Sequence, residues 1–419
     1  MSFPRYPKYK RSGVEWLGEV PEHWEATRLK NLFELMKRTP VEGDEIVTAF
    51  RDGQVTLRLN RRVDGFTNAI QEHGYQRVLP NDLVIHAMDA FAGAIGVSDS
   101  AGKSTPVYSV CRPRHEDTVV HYFGRLLRHV ALSGYINSLA KGIRERSTEF
   151  RWNEAGNLIV PIPTYREQHA IASFLDRETA KIDALIAEQQ RLIELLQEKR
   201  QAVISHAVTK GLNPDAPMKD SGIEWLGEVP AHWEVERLKF LCDVQTGEKD
   251  TENAVEGGEF PFFVRSQTVE RIDSMAFDCE AVLTAGDGVG VGKVFHYHVG
   301  PFNFHQRVYM MNNFRQITGR FLFHYLRENF YKVALEGAAK STVDSLRRPM
   351  FMNFPVTVPA AAEQHAIIDE IERKSEQYGN LILAANEAIA LLQERRSALI
   401  SAAVTGQIDV RGLAPKEAA

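Results

Sequence analysis

Residues 286–293 read Gly-Asp-Gly-Val-Gly-Val-Gly-Lys, a bare-backbone run of the kind that cradles phosphates. Its glycines alternate, however, and Val294 stands where a phosphate-binding loop needs Ser or Thr. The stretch Gly96 to Ser104 comes within one residue of the same motif. Both are expected to be turns or loops where backbones approach closely. His296, His298 and His305 could ligate a metal, but no nearby Cys or carboxylate completes a set, so surface or core histidines are expected. No nucleophile–base–acid pattern, S-adenosylmethionine-binding motif or nuclease motif is present, which predicts a non-catalytic chain binding no cofactor or metal of its own. Cys111, Cys242 and Cys279 are too far apart for a CxxC pair and read as reduced thiols. What remains is binding chemistry in two basic polar loops, Lys141-Gly-Ile-Arg144-Glu-Arg146 and Gly337-Ala-Ala-Lys340-Ser341-Thr342.

The elements that position these loops occur twice. Ser12–Lys30 and Ser221–Lys239 agree at 15 of 19 positions, and Glu167–Val208 recurs without a gap as Glu363–Val404. So large a period predicts two pseudo-equivalent halves rather than a solenoid. Between the repeated segments, residues 31–160 and 240–357 share little in sequence, yet each reads as an α/β module with a late aromatic-rich helix. The later repeats carry aliphatic residues at steps of four and three. In the first these are Ile171, Leu175, Ile182, Leu185, Leu192, Leu196 and Val203; in the second they include Ile367, Ile371, Leu381, Leu392 and Leu399. That is a heptad seam over roughly 40 residues, or about 60 Å of helix. Thr164 and Glu167 have capping-box spacing at the start of the first helix, and Gly211 and Gly406 mark the ends of the two. A twofold between the halves would make the helices antiparallel, with a head at each end of a rod. Trp16/Trp24 and Trp225/Trp233 could form a partner surface, but their place in the repeated frame favours anchors within the fold.

The expected organisation is thus a head over 1–165, a helix over 166–211, a second head over 212–357, a second helix over 358–408 and a tail over 409–419. No run approaches 18 apolar residues and the N-terminus lacks an apolar leader, so a cytoplasmic location with no membrane contact is expected. The net charge of −5 excludes a stand-alone polycation; residues 1–165 carry +3 and residues 212–357 carry −5. Any nucleic-acid contact must therefore come from local patches or from partners.

The order of a WLGEVPxHW segment, a variable module, and a long helix opening on EQHAI and closing on LLQEKR or LLQERR, all repeated, resembles the specificity subunit of type I restriction-modification systems. The helix opening stands here as Ile162-Pro-Thr-Tyr-Arg-Glu167-Gln168-His-Ala-Ile171 and Val358-Pro-Ala-Ala-Ala-Glu363-Gln364-His-Ala-Ile367. The resemblance implies an α+β chain with two target-recognition domains on two antiparallel helices forming a coiled coil. It also implies double-stranded DNA as ligand, two methylation subunits docking along the helices, and motor-endonuclease subunits joining later. S-adenosylmethionine, ATP and Mg are then expected on those partners. Base contacts do not carry over, so candidate readers rest on side-chain chemistry, Arg for guanine and Gln for adenine. They are Arg58, Arg61, Arg62, Lys141, Arg144 and Arg146 in the first head, and Arg265, Gln267, Lys293, Gln306, Arg307, Lys340 and Ser341 in the second. For each of them a phosphate contact or a solvated surface is also open. A non-catalytic coiled-coil scaffold with two protein-binding heads is the alternative reading of the whole chain.

Overall fold

The structure, a computed structural model, describes residues 3–61, 73–136, 149–334 and 346–413. It has two compact units, residues 1–188 with 388–419, and residues 189–387. Both boundaries fall inside the long helices, so each helix contributes to both units.

In the first unit, strand Glu25–Arg28 pairs antiparallel with Ile159–Ile162, Glu25 opposite Ile162. The second unit repeats this: Glu234–Arg237 pairs with Pro355–Val358, Glu234 opposite Val358. Each variable module is therefore inserted between two strands that hold its ends together. That closure explains how modules of unlike sequence occupy one frame.

Within the first module, four antiparallel strands run in the order Phe33–Leu35, Tyr108–Pro113, Leu83–His86, Ile95–Val97. Helix α1 (Val120–Leu132) turns Tyr122, Phe123, Leu126, Leu127 and Val130 into the core, as the 3.6-residue period of its apolar positions requires. From the same unit come the first part of α2 (Tyr165–Lys210) and the last part of α4 (Ala361–Val404). The second module has six strands, ordered Asp243–Thr246, Val308–Asn312, Phe277–Ala285, Phe295–Phe304, Phe260–Phe263, Glu270–Ile272. Within this sheet Phe260–Phe263 pairs parallel to Phe295–Phe304. Helix α3 (Gly319–Asn329) packs Phe321, Leu322, Tyr325 and Leu326 inward.

The long helices pair antiparallel inside each unit. Ile171, Leu175 and Ile182 share a core with Leu399, Ala403 and Val404 in the first, where Arg396 Nε donates to Asp183 Oδ1 at 2.9 Å. Ile204, Ala207 and Val208 share one with Ile367, Ile368 and Ile371 in the second. Leu196, Val203 and Leu392 are half-buried. The expected seam needs correction at three leucines: Leu185, Leu192 and Leu381 are 51%, 43% and 46% exposed. The half-buried positions are instead Ile186, Ile193 and Ile382. A straight helix turns 3.6 residues per turn, so a strict 3.5-residue seam drifts by about 20° per heptad, enough to pass the inward face to the next residue.

Candidate nucleic-acid interface

The frame first fixes each head to its helix. Glu167, 3% exposed, accepts a bond from Thr164 Oγ1 at 2.7 Å and lies 2.8 Å from His23 Nε2. Trp24 Nε1 donates to the same carboxylate at 3.4 Å. Burial pushes this carboxyl up, but the bonds from Thr164 and His23 outweigh it and hold it below the usual range. In the second unit Glu363 Oε2 takes Trp233 Nε1 and faces His232 Nε2, both at 2.9 Å. The adjacent glutamines reach the other way. Gln168 accepts from Val119 N at the start of α1 and donates to Pro163 O. Gln364 accepts from Thr318 N at the start of α3 and donates to Gln316 O and Pro359 O. Trp24 and Trp233 are fully buried, and Trp225 stacks on Phe354 at 5.5 Å, so these rings are anchors within the fold. The repeated residues are thus committed to holding the heads, and any difference in recognition must lie in the modules.

On the first head, Arg58 and Arg61 line one cleft of about 880 Å³, together with Phe50, Arg51, Asp52, His86 and Tyr108. Arg61 Nη1 donates to Asp52 at 2.6 Å while its guanidinium lies 4.3 Å from the Phe50 ring centre. Arg51 is held by Asp89 at 2.9 Å, and Arg58 Nε reaches Thr48 Oγ1 at 3.4 Å. Arg62, Lys141, Arg144 and Arg146 lie outside the described residues.

The second head brings its candidates together around the glycine-rich loop. Asp287, within that loop, accepts from Arg265 Nη1 at 2.9 Å and from Arg307 Nη1 at 2.8 Å. Its carboxyl is raised by burial but held down overall by the two guanidiniums. Gln267 donates to the Lys293 carbonyl, Gln306 to Asp250, and His305 Nε2 lies 3.5 Å from Asp250. A Cβ at Gly290 would stand 2.5 Å from Arg265 O, and one at Gly286 would stand 2.9 Å from Arg307 O. The glycines therefore let the loop close on the backbones that carry the two arginines, which is the close-approach role expected of them. His296 and His298 face the carbonyls of Ser266 and Pro301. Among the described residues no group of three His, Cys, Asp or Glu could hold a metal. Lys340 and Ser341 lie outside the described residues.

Sequence reasoning found Arg61, Arg265 and Arg307 and missed Arg51 and the acids that orient all four. Asp52, Asp89 and Asp287 each fix a guanidinium while leaving donors of its fork unoccupied by that contact, an arrangement suited to bidentate bonding with a guanine edge or a phosphate. The legible signal was Asp287 set among glycines.

Residues 230–378 match the family model for the type I restriction modification DNA specificity domain. The chain is 30% identical to the type I restriction enzyme EcoDI specificity subunit of Escherichia coli, over 43% of this chain and 40% of that protein. It is 23% identical to the MjaVIII specificity subunit of Methanocaldococcus jannaschii, over 94% of this chain and 95% of the relative. Among solved structures, it resembles a chain from a study of complex assembly and conformational transition of the type I R-M system, with a TM-score of 0.69 at 15% identity over 92% of this chain and 98% of that one. It also resembles the HsdS subunit from Thermoanaerobacter tengcongensis, with a TM-score of 0.54 at 15% identity and the same coverage. The fold, mixed helix and sheet, is that of these two structures. The family match, the two relatives and the two solved structures thus all point to one kind of protein, the first through little more than a third of this chain and the full-length relative at 23% identity.

Proposed function

We propose that the chain is a non-catalytic DNA-recognition subunit whose two heads each read one half of an asymmetric bipartite site. The long helices set the unread spacing and dock two methylation subunits, with motor-endonuclease subunits joining the complex. S-adenosylmethionine, ATP and Mg act on those partners. The observation that carries this reading is the matched staple: Glu167-Gln168 and Glu363-Gln364 hold both heads in one way, whereas the arginine-bearing faces differ between heads. Exposed Leu185 and Leu391 in the first unit repeat as Leu381 and Leu195 in the second, so each unit offers an equivalent apolar contact for an identical partner. Among the described residues no helix is long and apolar enough to cross a membrane, which is compatible with action in the cytoplasm.

The test is a module exchange. Replacing residues 29–158, which lie between the paired strands, with the corresponding module of a relative should change one half of the methylated sequence and preserve the other half and the spacing. Methylation mapping in a host carrying the partner subunits reads the result. A change in both halves would defeat the two-reader model, and no methylation dependent on this chain would favour the protein-binding scaffold.

A further inference from the structure

The first unit contains a cavity of about 580 Å³ between α1 and the last turns of α4, adjoining the cleft of Arg58 at Asp52. Arg125, Arg128 and His129 line it from α1, and Arg396 and Ser401 from α4, over an apolar floor that includes Ile95 and Ile400. Two of the guanidiniums have carboxylates, Arg125 with Asp176 and Arg396 with Asp183. Arg128 has none among the described residues. One of its terminal nitrogens donates to Arg51 O at 3.1 Å, while its Nε is buried without any hydrogen-bond partner. Asp52 also lines the cavity but is bonded to Arg61. Gly53 makes room for the arginine stem, since a Cβ there would stand 2.5 Å from Arg128 Cδ.

The second unit shows what this arrangement lacks. Aligning the two capped amides, Val119 N and Thr318 N, sets Gly124 against Phe323, Arg128 against Arg327 and His129 against Glu328. There a buried carboxylate, Glu328, stands beside Arg327, Arg200 and Gln201. The repeat of that place in the first unit has an imidazole beside Ser401, a glycine where a phenyl ring stands, and open volume. One half thus carries its own carboxylate, and the other has the cations and the space. Burial and neighbouring Arg396 also disfavour the charge on Arg128, so an anion would relieve it.

The geometry points to a pocket for a small organic phosphate monoester, its phosphate oxygens accepting from Ser401 Oγ and from the cavity-lining guanidiniums of Arg128, Arg125 and Arg396, and its organic part resting on Ile95 and Ile400. A volume of this size exceeds what phosphate alone fills and falls in the ordinary range of small-ligand sites. Tetrahedral dianions suit several converging guanidinium donors better than a single carboxylate does.

Calorimetric titration of the full chain with phenyl phosphate and with inorganic phosphate tests this independently of DNA recognition. Phenyl phosphate should bind saturably at one site per chain, several-fold tighter than inorganic phosphate. Arg128→Gln should weaken it at least tenfold, and His129→Glu, which installs the second unit's carboxylate, should abolish it without lowering the melting temperature. Absence of saturable binding, or equal binding by the folded His129→Glu chain, overturns the proposal. Displacement of phenyl phosphate by a short duplex of unrelated sequence would place a DNA phosphate in the pocket and overturn the small-ligand assignment.

Discussion

Truncating Gln168 to alanine should loosen the first head at least as much as truncating Gln364 loosens the second. Gln364 is 1% exposed and closes three bonds: Thr318 N to its Oε1 at 2.8 Å, and its Nε2 to Gln316 O at 2.8 Å and Pro359 O at 2.9 Å. Gln168 closes two, with Val119 N at 2.9 Å and Pro163 O at 3.0 Å. A buried backbone group left without its partner costs about 1 to 3 kcal/mol. Gln168→Ala strands two buried groups and should cost roughly 2 kcal/mol or more, whereas two of the three Gln364 bonds are only part-buried and water can take them up, so Gln364→Ala should cost no more than that. Lost side-chain packing is alike in the two and cancels in the comparison. Gln364 also steadies Gln316, whose φ of 62° places a non-glycine residue in the left-handed region. Hydrogen exchange should show lost protection at the first amides of α3 in one variant and of α1 in the other, and urea denaturation gives the magnitudes. If Gln168→Ala costs clearly less than Gln364→Ala, or both fall below about 0.5 kcal/mol, the staple is not what fixes the heads.

The His324 imidazole is pushed down to about 4 by burial and by Arg327, Arg320 and Arg200. The unfolded chain takes up this proton near pH 6.5 and the folded one does not until about pH 4, so the second unit should lose up to about 3 kcal/mol as pH falls through that window. His324→Leu should flatten the slope in denaturation curves measured between pH 7 and 4.5 without abolishing it, since burial also lowers His296 and His305, and an unchanged slope rejects the assignment. Ile204→Asp, placing a charge in the second core, should cost several kcal/mol, whereas Leu192→Asp on the exposed face should change the stability of the lone chain by about 0.5 kcal/mol or less. Equal melting shifts would contradict the corrected seam. Asp287→Asn removes the charge that orients Arg265 and Arg307, so methylation mapping should show relaxed choice in one half-site only, worth about 1 to 3 kcal/mol per misplaced arginine; an unaltered motif would mean that these arginines do not read bases.

The architecture was legible wherever the sequence repeats itself. Repetition exposed the two frames, the helix ends at Gly211 and Gly406, and the anchoring of the tryptophans. The phase of the seam was not, because Leu185-Ile186 and Leu192-Ile193 are both aliphatic pairs and only accumulated helical drift selects the second member. Strand order was equally hidden: Ile159 opposite Arg28 is a pairing across a whole module, invisible to any local pattern. Among the candidate readers, residue type identified the arginines, but their orientation depends on acids distant in sequence, as Asp287 is from Arg265 and Arg307. The cationic pocket went unseen because α1 and α4 meet only in the folded chain.

The first unit is closed by the two extremes of the chain. Tyr9 OH donates to Gly406 O and Asp409 N to Pro4 O, while Leu399, Ala403, Val404 and Ile408 complete the core beneath α1. The second unit, 189–387, is continuous. Domains ordinarily mature on the ribosome in the order in which they are translated. Here that order is inverted: all of the second unit has been synthesised before the last strip of the first exists, and the earlier head waits with its apolar floor uncovered. A message ending anywhere within that closing strip would yield a protein with its later head finished and its earlier head still open.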